Sequence, residues 1–240
     1  TDDSGYWVKV YDDADLQTQG LPVGAVSYSL DEGNNLSSYS YAVNQSIDTA
    51  IPSGAQAGFY GIAGEGIAAL NINGGWVGSL DAFEGGRGYW LVANQELEFS
   101  YNEPSVDVLS RNAMVRQTKM PAVPREFAYS QSQNQAFFFV KDASIDGEAL
   151  ENSDWLIAYN GDVVVGARMW NGEYTDIPAM GLDSNNEYTT GYTEAGKNIS
   201  FKVYDASEGE IVDMGLTEGE TVWANNTMTV VSMSDVVIPT

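Results

Sequence analysis

Short apolar segments, cut by glycine, asparagine and aspartate about every 8–12 residues, constrain this chain more than any other feature. Asn73-Gly74, Asp146-Gly147, Asn160-Gly161-Asp162 and Asn171-Gly172 each stand between runs rich in aromatic and β-branched side chains. A long amphipathic helix needs an uninterrupted 3.6-residue period, and this punctuation leaves little room for one. Asn-Gly and Asp-Gly favour the two-residue turns whose positive φ angles match the twist of a β-hairpin. The spacing predicts an all-β chain of two β-sandwich-like domains with little helix.

In chain order, Tyr6–Tyr11 reads as a strand, with Asp12, Asp13 and Asp15 as the turn after it. Strands are expected at Ala25–Leu30 and Leu36–Tyr41 around the turn Asp31–Asn34, then a helical turn in Gln45–Ile51 stopped by Pro52. Gly54–Gly66 is glycine-rich and reads as turns holding Phe59 and Tyr60. Ile67–Leu70 and Trp76–Leu80 form a hairpin, and the Gly88-Tyr89-Trp90 strand with Leu97–Tyr101 closes the module. Gly88-Tyr89-Trp90-Leu91 repeats Gly5-Tyr6-Trp7-Val8. Residues 1–20 are therefore expected to be the tail of a preceding repeat or a strand given to a neighbour.

Residues 103–126 hold Arg111, Arg116, Lys119 and Arg125 with Pro104, Pro121 and Pro124, the composition of a linker, with a short helix at Ser110–Thr118. The expected division is 1–102, linker 103–126, and 127–240. In the last part Ala136–Val140 reads as a strand buried on both faces. Trp155–Tyr159 and Val163–Val165 pair as a hairpin, Ile199–Tyr204 is another strand, and Thr221–Trp223 with Met228–Met233 are the last pair.

Acidic residues outnumber basic ones by 34 to 10, a formal charge of -24. Such a surface repels phosphates, so neither nucleic acid nor an anionic membrane is an expected partner. With no cysteine and no histidine, disulfides, thiolate chemistry and imidazole catalysis are excluded. No apolar run is long enough to cross a membrane as a helix.

Two sets of residues resemble known modules. The first is Leu30, Gly33 to Tyr39, Gly64-Glu65-Gly66-Ile67-Ala68-Ala69, Trp76-Val77-Gly78-Ser79-Leu80 and Gly88-Tyr89-Trp90. It is similar to a β module of secreted multidomain bacterial proteins, although Asn34 stands where that pattern has tryptophan. The second is Asn134 to Phe139, Asp154-Trp155, Val165 to Arg168, Trp170, Asp176-Ile177-Pro178, Met180-Gly181, Gly191-Tyr192 and Phe201 to Asp205. It resembles a module that follows the first in surface and secreted proteins of marine bacteria and in structural proteins of their phages. The resemblance implies extracellular, cell-surface or virion-surface placement and carries over no active residues.

Candidate chemistry is sparse. Asp183, Asn185 and Glu187 alternate oxygen ligands in a loop, but Tyr188 stands where an EF-hand needs glycine. A looser Ca2+ site there, or at Asp12, Asp13 and Asp15, is the alternative to a solvated turn. Trp170, Tyr174, Tyr188 and Tyr192, with Arg168 and Asp176, could stack on and hold a glycan; packing in a core is the competing role for such aromatics. Arg168 could instead neutralise a buried Asp154 or Asp176. No acidic pair stands out for a glycosidase. The expectation is a non-enzymatic structural and adhesive subunit that self-associates or joins other structural subunits through β-strand and aromatic contacts, Tyr6 and Trp7 foremost. A carbohydrate-binding module is the alternative.

Overall fold

The computed structural model describes residues 6, 8, 10, 12, 13, 15, 25–105 and 116–236. The chain is all-β, and among the described residues helix is confined to single turns. It divides into two compact units. The first holds the chain to Gly64, Asn71–Trp76 and Leu80–Thr118; the second holds Glu65–Leu70, Val77–Ser79 and everything from Lys119. The expected boundary near residue 102 is thus corrected in one respect. The base of one hairpin belongs with the C-terminal unit, while its tip counts with the N-terminal one.

In the first unit, β1 (Tyr28–Leu30), β2 (Gly33–Ser38) and β3 (Gln45–Ser46) precede two helical turns at Ile47–Ala50 and Ser53–Gln56. Then come β4 (Phe59–Ala63), the hairpin β5 (Ala68–Ile72) and β6 (Gly75–Gly78), of which only Asn71–Trp76 counts with this unit, β7 (Ala82–Phe83), β8 (Gly88–Ala93) and β9 (Leu97–Phe99). Strand β8 runs antiparallel between β2 and β4. The short pairs β1–β9 and β3–β7 complete the unit. Asn73 and Gly74 turn the hairpin at φ 53° and 88°, the left-handed pair that Asn-Gly adopts at least cost. Phe59 and Tyr60 lie in β4 rather than between turns: β4 needs only five residues, and Tyr60 is left unpaired in a bulge against β8 between Phe59 and Gly61.

An aromatic cluster fills this unit. Tyr39 stacks on Phe83 at 5.3 Å between centroids, and Tyr101 meets Tyr28, Tyr39 and Phe83 edge-on at 5.1 Å. Rings so disposed gain from their quadrupoles in addition to the area they bury.

The second unit begins with a 3-10 turn, Arg125–Phe127, whose Phe127 is buried. Its strands are β10 (Gln135–Ile145), β11 (Glu148–Ala149), β12 (Trp155–Asn160), β13 (Val163–Met169), β14 (Thr175–Met180), β15 (Ser200–Asp205), β16 (Glu210–Glu218) and β17 (Met228–Asp235). They form one sheet in the order β11-β10-β17-β16-β15-β12-β13, with β14 also on β10. The pairing of β10 with β17 is parallel; the other ladders are antiparallel.

The sheet curls until β13 and β14 cross. At Gly166 an added Cβ would lie 1.6 Å from the Pro178 carbonyl oxygen, so no side chain fits there. Phe138, Leu156, Val165, Ile177, Val203 and Val231 fill the concave core. Trp155, Ile157 and Ala167 face the other way, onto Phe127. Residues 135–140 of β10 are buried on both faces, as the unbroken apolar run there predicts.

Thr221–Trp223 is not a strand; Val222 makes one isolated bridge to Asn198, and β17 pairs with β16 and β10 instead. Of the segment read as a linker, Thr118 donates its backbone N–H and hydroxyl to Asp81, anchoring that end. Most of the helix expected at Ser110–Thr118 lies outside the described residues.

Candidate functional site

The densest gathering of polar side chains is buried in the second unit. Arg168 on β13 donates Nε to the Asp176 carbonyl at 2.9 Å and Nη2 to Asp176 Oδ2 at 3.1 Å and the Gly66 carbonyl at 2.6 Å. The Ser79 hydroxyl donates to the same carboxylate oxygen at 2.8 Å. Gly66 N–H donates to Gln135 Oε1, which also accepts from Gln131 Nε2, each at 3.1 Å. The hairpin base, Gly66 and Ser79, is thereby tied to β10, β13 and β14.

Asp176 is 1% exposed and Arg168 7%. Burial pushes the Asp176 carboxyl above its usual range, against the pull of the Arg168 guanidinium and the Ser79 hydroxyl. With its carboxylate spoken for and no exposed surface, this cluster holds structure together and offers no open face to a substrate. Of the two carboxylates weighed for Arg168, Asp176 is its partner. Asp154 accepts instead from the backbone N–H groups of Glu151 at 2.8 Å and Ala206 at 3.0 Å.

The aromatics expected to meet a glycan do not form one surface. Trp170 and Tyr192 are buried in the core of the second unit, and the Tyr192 hydroxyl accepts from Ser130 N–H at 2.6 Å. Tyr174 is half-buried with φ 61°, its N–H bonded to the Val140 carbonyl. Tyr188 is the exposed one of the four.

The loop proposed for Ca2+ closes on itself. Asp183 is buried and its Oδ1 accepts from Asn185 N–H at 2.9 Å, while Asn185 and Glu187 are exposed. Thr189 Oγ1 accepts from Asp183 N–H and stands within 3.1 Å of the Asp183 carbonyl as its donor. Among the described residues, Asp12, Asp13 and Asp15 included, no group of three or more Asp and Glu side chains gathers where a metal could be held.

An open depression of about 510 Å³ lies over β10 and β16, lined by Lys141, Asp142, Glu173, Thr217, Glu218 and Ser232. Its one ion pair, Lys141 Nζ to Glu218 Oε2 at 3.5 Å, is solvent-exposed and so of small worth.

In the first unit, Tyr89 on β8 accepts from Glu84 N–H at 2.8 Å, and burial pushes its phenol up to about 12. The phenols of Tyr39 and Tyr101 are raised by burial as well. These groups stay neutral at physiological pH and act as packing.

A different feature stands at the other extreme of burial. Tyr6, Val8 and Val10 are 72%, 67% and 58% exposed. They occupy alternate positions, so in an extended chain they share one face. Trp7, expected beside them, lies outside the described residues. The strand expected at Tyr6–Tyr11 is not formed at the described residues Tyr6, Val8 and Val10, and its other positions lie outside the described residues; the Ser79 and Gly66 contacts of the buried cluster left no local signal, since their partners lie 97 and 102 positions away. Among the described residues no helix is long and apolar enough to cross a membrane. Comparison with protein-family models, curated proteins and solved structures finds no match to this chain.

Proposed function

We propose that the chain is a non-enzymatic structural and adhesive subunit of an extracellular or virion-surface assembly, associating through β-strand pairing and aromatic burial. The observation that carries this reading is the exposed alternate set Tyr6, Val8 and Val10. Large apolar side chains on one face of an extended segment are unfavourable in water, and joining a sheet stabilises them by roughly 25 cal/mol per Å² of apolar surface covered. Main-chain hydrogen bonds to a sheet edge supply the rest. The surrounding chemistry fits the same reading: titratable groups that are strongly shifted by burial are locked in packing, and the large aromatics are mostly core.

Light scattering on the purified chain tests the proposal. The full chain forms a discrete oligomer or polymer, and a chain lacking residues 1–20 remains monomeric with its two units folded. Normal association of the shortened chain would defeat the proposal.

A further inference from the structure

A protease reads its substrate as an extended strand with free main-chain groups. A basic side chain therefore marks a cleavage site only where the backbone around it is exposed and unbonded. Most of the described basic residues fail that condition. Lys141, Arg168 and Lys202 lie inside β10, β13 and β15. Arg87 sits in a closed turn, donating its N–H to the Glu84 carbonyl at 3.2 Å and accepting from Tyr39 N–H at 3.0 Å. Lys197 does the same, donating to the Glu194 carbonyl at 3.1 Å and accepting from Trp223 N–H at 2.8 Å. Arg125 opens the 3-10 turn that buries Phe127. Arg116 is followed by Gln117 and Thr118, both bonded to Asp81.

Among the described residues Lys119 is the exception. Lys119, Pro121 and Ala122 are exposed, residues 119–124 carry no regular structure, and neither Lys119 nor Met120 enters a hydrogen bond or an ion pair with a described residue. Pro121 and Pro124 drive the residues before them, Met120 and Val123, towards extended backbone. The division between the two units falls between Thr118 and Lys119.

We propose that the Lys119–Met120 peptide bond is a processing site for a lysine-directed endoprotease, and that the cut chain persists as a molecule of two fragments. Water adds across the bond, leaving a carboxylate on Lys119 and a new amino terminus on Met120. The site is independent of residues 1–20 and of the assembly proposed above. The fragments are held by the base of the β5–β6 hairpin, which precedes the cut in sequence yet belongs to the second unit. From that base the Gly66 carbonyl accepts from Arg168 Nη2, Gly66 N–H donates to Gln135 Oε1, and the Ser79 hydroxyl donates to Asp176. At Gly78 an added Cβ would stand 2.8 Å from the Phe139 ring, so the hairpin backbone lies directly on a side chain that is 0% exposed. Withdrawing the hairpin base would strip partners from buried polar groups and uncover that ring, and both changes oppose separation.

The test treats the folded full chain with a lysine-specific endoprotease and sequences the amino termini of the products. A fragment beginning at Met120 accumulates, and Lys119→Gln abolishes it. The two fragments elute together in native buffer and separate in urea. Gly66 N–H keeps slow exchange in the cut chain, because its bond to Gln135 survives. Ser79→Ala, introduced before the cut, raises the dissociation constant of the pair about tenfold, the worth of one buried bond to a charged group. First cleavage at Lys141, Lys197 or Lys202, or none at Lys119, overturns the site. Fragments that part in native buffer, fast exchange at Gly66, or a Ser79→Ala pair as tight as the native one overturns the hold assigned to the hairpin base.

Discussion

Arg168 and Asp176 show how one buried pair can be both necessary and costly. Each charge loses its hydration, and the pair is held only because four further polar groups complete its bonding: the Asp176 and Gly66 carbonyls, the Ser79 hydroxyl and the Ser79 N–H. Removing one partner strands the other charge, so Arg168→Met should cost about 3–5 kcal/mol. The pH dependence gives the mechanism a signature. Asp176 has its folded value raised above an unfolded value of about 3.9. Its contribution to stability is full below the unfolded value and declines as pH rises through the folded one. Arg168 holds that folded value down, so its loss moves the decline to higher pH. The deficit of the variant in urea denaturation should therefore be larger at about pH 8 than at about pH 5. An equal deficit at both would assign the damage to lost packing of the arginine stem. The sequence set Arg168 between strands with a carboxylate to neutralise, yet it could not choose between Asp154 and Asp176. That choice depends on where β13 crosses β14.

At the scale of elements, turns were the legible part and crossings were not. Asn73-Gly74, Asp146-Gly147 and Gly161 all take the positive φ angles their identities favour, and the hairpins around them lie where the pattern puts them. Strand β14 escaped because Pro178 argues against a strand interior. It is tolerated here because β14 pairs with β10 on one side and meets β13 only by close crossing on the other. Strand β16 escaped because Glu210–Glu218 buries only Met214 fully, so its apolar alternation is faint. The crossing at Gly166 makes its own prediction. Gly166→Ala must move two strands apart, and overpacking of this kind costs about 3 kcal/mol or more. Thermal denaturation should show the second unit melting first in that variant, with early loss of slow amide exchange in β13 and β14 as its reporter. A melting curve like that of the native chain would mean that β13 and β14 do not approach this closely.

The whole molecule carries a charge of -24, and any association between copies must overcome it. Two readings of that charge predict opposite responses to salt. If copies meet through apolar strand pairing, the acidic surfaces only repel, and screening them helps. The Debye length shrinks from about 30 Å at 0.01 M to about 10 Å at 0.1 M, so most of the repulsion should vanish over that range. The mass measured by light scattering should then rise with sodium chloride at fixed protein concentration, and Tyr6→Asp with Val8→Asp should abolish the rise. The double variant matters because salt also strengthens unspecific apolar contact, which would persist without the strand. If instead the acidic surface is itself the recognition surface, docking on a basic partner, added salt should weaken binding. A mass that falls as salt is added would put the attraction in the charges and take it away from Tyr6, Val8 and Val10.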